Sequence, residues 1–367
     1  MTIVRVAACH ASPIFLNAPK TATKAVHLIQ EAASHGAQII TFPETFIPGF
    51  PFWSALRAPA ENHSLFKSLV HASPSLSSAP MRAIQDAAAQ HSVTVSMGFS
   101  ERPEDSIATL YNSNVIYGPD GGVLVHHRKL VATFFEKLSW APGDGEGLRV
   151  AHTPNGRVGQ LICGDNTNTL ARYALMAQGE QIHISSWPAA WPTRLLPDVG
   201  DGGKAPAGEE SGAEKNYDNV SANRLRVAAH CFEAKCFGVM CAAALDDVAI
   251  ATTAAGARDP DIVRSTLRRS PRGATMYINP SGGVLPGFTV DSATGKKKVM
   301  EFLQQEEGIL YADMDLDDCI EGKQFHDVAG GYQRPDVFDL RVRRERRSGA
   351  TFLDTAIPAS EWSDDPV

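Results

Sequence analysis

Short apolar runs bounded by turn residues alternate with amphipathic stretches along most of this chain. Residues 3–8 form a first strand, and residues 21–34 place Val26, Ile29 and Ala33 at spacings of three and four, which predicts a helix closed by Gly36. Residues 37–42 predict a second strand, 62–71 and 79–90 two more helices, and 93–99 a third strand. Hairpins follow: 111–117 and 122–127 flank Pro119-Asp120-Gly121, and 147–152 and 157–162 flank Pro154-Asn155-Gly156. Further helices are expected at 169–177 and 221–235, and further strands at 181–188, 236–244, 274–279 and 308–314, with a Ser281-Gly282-Gly283 turn between the last two. Residues 198–219, polar and glycine-rich, are expected to be an exposed insertion. Antiparallel pairs mixed with strand-helix units exclude a purely parallel Rossmann sheet and support a mixed α/β fold.

Three of these strands end on chemistry. Residues 37–42 run into Pro43-Glu44, residues 122–127 into Arg128-Lys129, and residues 158–162 into Cys163. Strand carboxyl ends are where open α/β folds place their sites. Each residue alone has a plain reading: a buried cysteine acting as a small hydrophobe, a solvated surface Glu or Lys. Together they offer a nucleophile, a proton acceptor and a cation. Gly164 is expected to allow the tight path after Cys163, and Asp165, Asn166 and Thr167 to cap the next helix, whose dipole would favour an exposed thiolate. A Cys-His hydrolase using His126 or His127 is a competing arrangement.

The segments 42–46 (Phe-Pro-Glu-Thr-Phe), 127–136 (His-Arg-Lys-Leu through Glu136) and 163–166 (Cys-Gly-Asp-Asn) resemble the Glu, Lys and Cys signatures of the carbon-nitrogen hydrolase (nitrilase) superfamily, closest to its nitrilase branch. The resemblance implies a four-layer αββα sandwich over residues 1–340. It also implies a small-molecule nitrile as substrate, no cofactor and no metal, and a homodimer that builds larger oligomers or spirals. Glu44 would be the base, Lys129 the charge stabiliser, Cys163 the nucleophile, and Glu136 a second glutamate that holds the lysine. Gly164 would donate to the developing anion, and Trp53, Thr133, Phe134, Trp187 and Pro188 would line the substrate site. Two departures stand out: Ala132 replaces a proline common in the family, and Asp165 replaces a glutamate, one methylene longer, whose contacts the cysteine loop would have to rebuild. A cyanide hydratase or amidase would use the same groups, and a non-catalytic oligomeric scaffold would have no reason to keep them.

Composition narrows the partners. In 367 residues, 43% are hydrophobic and the formal net charge is −7, which suits a sizeable core and argues against nucleic acid or an anionic membrane surface. No apolar run is long enough to span a bilayer, and no signal segment precedes the first strand, so a cytoplasmic protein is expected. The six dispersed cysteines are expected to be reduced, and Cys231, Cys236 and Cys241 to be unable to share an ion, because a separation of five puts the last two on opposite faces of a strand. Residues 341–367 open with an arginine-rich run and are expected to be a solvated tail or, as the resemblance implies, an arm reaching acidic groups of a partner subunit.

Overall fold

A computed structural model describes residues 3–196, 216–291, 294–346 and 350. The chain begins β1 (Ile3–His10), α1 (Ala18–Ser34), β2 (Ile39–Thr41), α2 (Trp53–Leu56), α3 (His63–Ala72), α4 (Ala79–His91), β3 (Thr94–Glu101), β4 (Tyr111–Tyr117) and β5 (Val123–Arg128). It continues with β6 (Ala151–Thr153), β7 (Gly156–Ile162), α5 (Thr169–Met176), β8 (Ile182–Trp187), α6 (Asn219–Ala234) and β9 (Phe237–Ala242). The last third holds α7 (Asp247–Ala254), α8 (Pro260–Arg269), β10 (Thr275–Ile278), β11 (Val284–Leu285), β12 (Gly287–Val290), β13 (Lys297–Met300), β14 (Phe302–Leu303), β15 (Gly308–Asp315) and α9 (Asp318–Glu321).

Two mixed sheets result. The first runs β13-β12-β15-β1-β2-β3-β4-β5 and the second β11-β10-β9-β8-β7-β6, with β14 pairing on β10. β1, β2 and β3 are parallel, as are β7, β8 and β9, while the remaining neighbours are antiparallel. Strand periodicity explains the layering. Val4, Val6 and Ala8 of β1 face the core between the sheets with Val158, Ile184 and Val239, whereas Ala7 and Cys9 face the layer of α1 and α4. On the far side, Val227 and Cys231 of α6 pack on Met240 and Ile278 of the second sheet. The arrangement is the αββα sandwich. Cys241 falls in the core between the sheets and Cys236 in the α6 layer, so they point to opposite faces.

Several expectations shift. α1 begins at Ala18, three residues before Thr21, because the Asn17 side chain caps it and Pro19 is tolerated in a first turn. The strand expected at 147–152 gives way to β6, since the backbone before it closes in turns, the Leu148 N–H donating to the Gly145 carbonyl and the Arg149 N–H to the Gly147 carbonyl. α7 and α8 are absent from the pattern reading; α7 is a run of small apolar residues and threonine without a polar stripe to mark a face. The insertion expected at 198–219 lies outside the described residues except for 216–219, where Asn216 and Asn219 are buried and Asp218 caps α6. In the arginine-rich run, Arg346 pairs with Asp144 and Glu146 of its own chain (3.3 and 2.5 Å), so that arginine meets acidic groups without a partner subunit. The rest of the tail expectation, from 347 on, falls outside the described residues apart from 350.

Candidate active site

Three strand ends bring the predicted charges together. Glu44 follows β2, Lys129 follows β5, and Cys163 follows β7 in the other sheet; Glu136 comes from a 3-10 turn, Phe134–Leu138, just past the lysine. Lys129 Nζ donates to Glu44 Oε1 at 2.9 Å and to Glu136 Oε2 at 2.6 Å. Cys163 Sγ and a carboxylate oxygen from each glutamate all lie within 4.8 Å of one another. Glu136 has no exposed surface, Lys129 retains 1%, Glu44 2% and Cys163 8%.

Backbone geometry sets this up. Cys163 itself adopts a left-handed φ of 44°, so the tight path belongs to the cysteine and not, as the sequence suggests, to Gly164. Gly164 is required for another reason: a Cβ there would collide with Thr133 Oγ1. The residues after Cys163 form a 3-10 turn, Cys163–Thr167, and the cap of α5 is Asn168, whose side chain accepts from the N–H groups of Leu170 and Ala171. The helix dipole therefore starts a full turn beyond the sulfur. The expectation of an exposed, dipole-favoured thiolate fails on this geometry. Burial pushes the Cys163 thiol well above its ordinary pKa, and the neighbouring Glu44 charge adds to the rise while Lys129 opposes it.

The other charges respond to the same dry surroundings. Burial raises the Glu44 carboxyl to about 7; Lys129 pulls it down, Glu136 pushes it further up. For Lys129, burial works against the ammonium, but the electrostatic pull of the neighbouring Cys163, Glu136 and Glu44 outweighs it and raises its pKa. Glu44 Oε1 is occupied by Lys129 and by Asn112 Nδ2, which donates at 2.6 Å, while Oε2 has no hydrogen-bond partner among the described residues. That free oxygen is the one able to take a proton.

Asp165 does bridge the two loops despite its shorter side chain. Its Oδ2 meets His127 Nε2 at 2.9 Å and its Oδ1 accepts from the Leu130 N–H at 3.2 Å, tying the cysteine turn to the lysine turn. His126 is engaged by Glu101 at 3.0 Å. Both histidines are thus committed to carboxylates rather than to the sulfur, against a Cys-His arrangement.

The expected substrate contacts divide. The Thr133 N–H donates to Glu136 Oε2 at 3.0 Å, and Phe134, at φ 50° and 67% exposed, leans on Trp191. Trp187 packs in the same cluster as Cys163, with the Arg226 guanidinium 5.8 Å from its ring centre. Pro188 is buried and its carbonyl closes on Gly273. Trp53 is buried one layer back, edge-on to Phe15 in an aromatic cluster with Phe50, Phe52 and Phe135, so the aromatic loop after Glu44 is packed core. A surface cleft of about 670 Å³ near His71 and Arg102 includes none of the four central residues.

Sequence reasoning missed two neighbours of the charges. Trp191 Nε1 donates to Glu136 Oε1 at 3.2 Å and its ring stacks on Phe135 at 5.0 Å. Asn112, on β4, is the second donor to Glu44. Neither carries a local signal, since each is fixed by a strand or loop distant in sequence. Among the described residues, two sets of donors could hold a metal: Glu44, Glu136 and Cys163, where the Lys129 ammonium already supplies the positive charge, and Glu180, His183 and His230, whose atoms bond one another.

Comparison with known proteins identifies the family and the fold. The carbon-nitrogen hydrolase family profile matches residues 5–324. A nitrilase of Penicillium rubens is 32% identical over 356 residues, covering 96% of each chain, and an arylacetonitrilase of Hypocrea virens is 32% identical over 94% of this chain and 92% of its own. In fold, a crystal structure of a carbon-nitrogen hydrolase from Helicobacter pylori superposes with a TM-score of 0.63 at 16% identity, over 88% of this chain and 92% of that one.

Proposed function

Since the chain belongs to the carbon-nitrogen hydrolase family, and so is a hydrolase of carbon-nitrogen bonds other than peptide bonds, we propose that it is a nitrilase converting a nitrile and two waters to a carboxylic acid and ammonia. The observation that carries this is the buried convergence of one thiol, two carboxylates and one ammonium, with one oxygen of Glu44 left without a hydrogen-bond partner among the described residues.

The chemistry follows from the pKa values. A nitrile carbon is a weak electrophile, and the resting thiol is neutral, so deprotonation must accompany attack. Glu44, poised near 7, takes the proton through Oε2 as Cys163 Sγ bonds to the nitrile carbon. The π electrons move to nitrogen, where Lys129 and the returning proton stabilise the thioimidate. Glu136, held by the Thr133 N–H and Trp191, fixes the ammonium that must face this charge. A water activated by a carboxylate adds to the carbon, ammonia leaves the tetrahedral adduct, and a second water cleaves the thioester and frees the acid. In this reading Gly164 donates its backbone N–H to the developing anion, opposite Lys129.

The exposed face of Phe134 with Trp191, together with Thr133, Trp187 and Pro188, forms the substrate wall, with Trp53 supporting it from behind. An arylacetonitrile fits such a wall, and the Hypocrea virens relative carries that name. Assembly into homodimers and spirals completes the proposal, with light scattering as its check. The decisive experiment is a panel of aliphatic, aryl and arylacetonitriles, cyanide and the matching amides, scored for acid against amide product. Acid and ammonia from a nitrile support the reading; hydrolysis of amides with every nitrile untouched would replace it with an amidase.

A further inference from the structure

Behind the cysteine turn lies a second buried polar cluster that the chemistry above does not use. Glu180 precedes β8, His183 lies within it, His230 comes from α6, and all three are sealed from solvent. Gly159 on β7 makes the space, because a Cβ there would strike the Glu180 carboxylate. Glu180 Oε2 meets His183 Nδ1 at 3.1 Å, Oε1 meets His230 Nε2, and the two rings stack at 3.7 Å. On its other edge, His183 Nε2 reaches Asn166 Oδ1 at 2.9 Å.

Donor and acceptor counting orients this chain. Asn166 Nδ2 faces two carbonyls, those of Cys163 at 3.0 Å and Leu161 at 3.4 Å, so the amide nitrogen must point at them and Oδ1 must point at His183. An amide oxygen only accepts, so His183 Nε2 carries a hydrogen. The contact between Nδ1 and the Glu180 carboxylate then needs a further proton between them, which locks the ring to Glu180. His230 spends its Nε2–H on the same carboxylate and has no partner at Nδ1 among the described residues. The line runs Glu180, His183, Asn166, and ends on the carbonyls that bracket the left-handed Cys163.

We propose that His183 is a positioning residue for the nucleophile: anchored by Glu180, it holds the Asn166 amide against the Cys163 and Leu161 carbonyls, and so keeps the thiol aimed at Glu44 and Lys129. A left-handed backbone at a residue with a side chain is strained and persists only where its surroundings over-determine it. Asn166 supplies that constraint through the Cys163 and Leu161 carbonyls. The inference rests on the reading of Cys163 as the nucleophile.

The test compares His183→Ala, Asn166→Ala, the double variant and His183→Gln, whose amide N–H can still reach Asn166. Two rates are read: alkylation of Cys163 by iodoacetamide, followed by mass spectrometry, and turnover of phenylacetonitrile. Each single variant is expected to alkylate about tenfold more slowly and to lose about 100-fold in kcat with KM within about twofold, the scale of a reacting group displaced by an ångström. The double variant should lose no more than the worse single one, and His183→Gln should recover most of the rate. Losses that multiply in the double variant, or alkylation and kcat unchanged in Asn166→Ala, would overturn the proposal. So would stoichiometric zinc carried by the wild type and lost in His183→Ala, since the ring would then be a metal ligand. If His183→Ala does not fold, Asn166→Ala decides alone, because it leaves the Glu180, His183 and His230 contacts whole. A wild type alkylated at Cys163 that turns over no nitrile counts against the nitrilase reading and leaves the alkylation comparison in force.

Discussion

Glu44 and Glu180 are equally buried carboxylates some distance apart along the same sheet-helix framework, yet their acidities move in opposite directions. Burial raises both, but Glu44 ends near 7 while Glu180 is held down to about 2. The difference lies in the donors. Glu44 shares a single ammonium with Glu136 and keeps one oxygen bare, whereas Glu180 has two imidazoles to itself. An under-supplied carboxylate can accept a proton and do chemistry; a fully supplied one is a fixed anchor. The first arrangement costs stability and the second contributes it.

The comparison breaks most sharply at Glu44. Glu44→Gln should lower kcat about 1000-fold, within the range for removal of a general base, without lowering the melting temperature at pH 8. The sign follows from linkage: the native carboxyl keeps its proton from its ordinary value of 4.5 up to about 7, so its ionisation subtracts stability as pH rises through 7. A marked loss of thermal stability in that variant would mean that the pairing with Lys129 outweighs the desolvation. At the other cluster Glu180→Gln should cost about 3 kcal/mol of stability, measured by urea unfolding, as expected when one member of a buried charged set is removed.

Acid should separate the clusters too. Below pH 7, kcat/KM should fall about tenfold per pH unit as Glu44 gains its proton, giving a limb that moves if Lys129 is replaced. Stability should fall over a different window. Burial lowers His230 to about 4 against the pull of Glu180, so the unfolded chain takes up a proton below 6.5 that the native ring refuses until 4. Glu180 continues the loss from 4.5 down to about 2. In the wild type the proton that native Glu44 takes up between about 7 and 4.5 offsets this loss, so the check is made in Glu44→Gln, where a flat melting temperature between pH 6.5 and 4 would contradict the assignment. The smallest effect is expected at Trp191→Phe, which removes one hydrogen bond to Glu136 and should reduce kcat about fivefold, near the worth of about 1 kcal/mol of such a bond.

Local pattern determined a good deal here. The alternation of β1, the hairpin turns at 119–121 and 154–156, and the placing of Glu44, Lys129 and Cys163 just past strand ends are properties of neighbouring residues, readable because strand periodicity and turn chemistry act over a few positions. The convergence of those three ends on Glu136 was carried by family resemblance, since no local rule brings β2, β5 and β7 together. Only the folded chain decided that Cys163, not Gly164, takes the left-handed turn, that its thiol rests neutral, and that Trp191, Asn112 and His183 reach in from distant elements. Acidity in a dry interior depends on how many donors surround a group in space, and that number exists only once two sheets have closed over it.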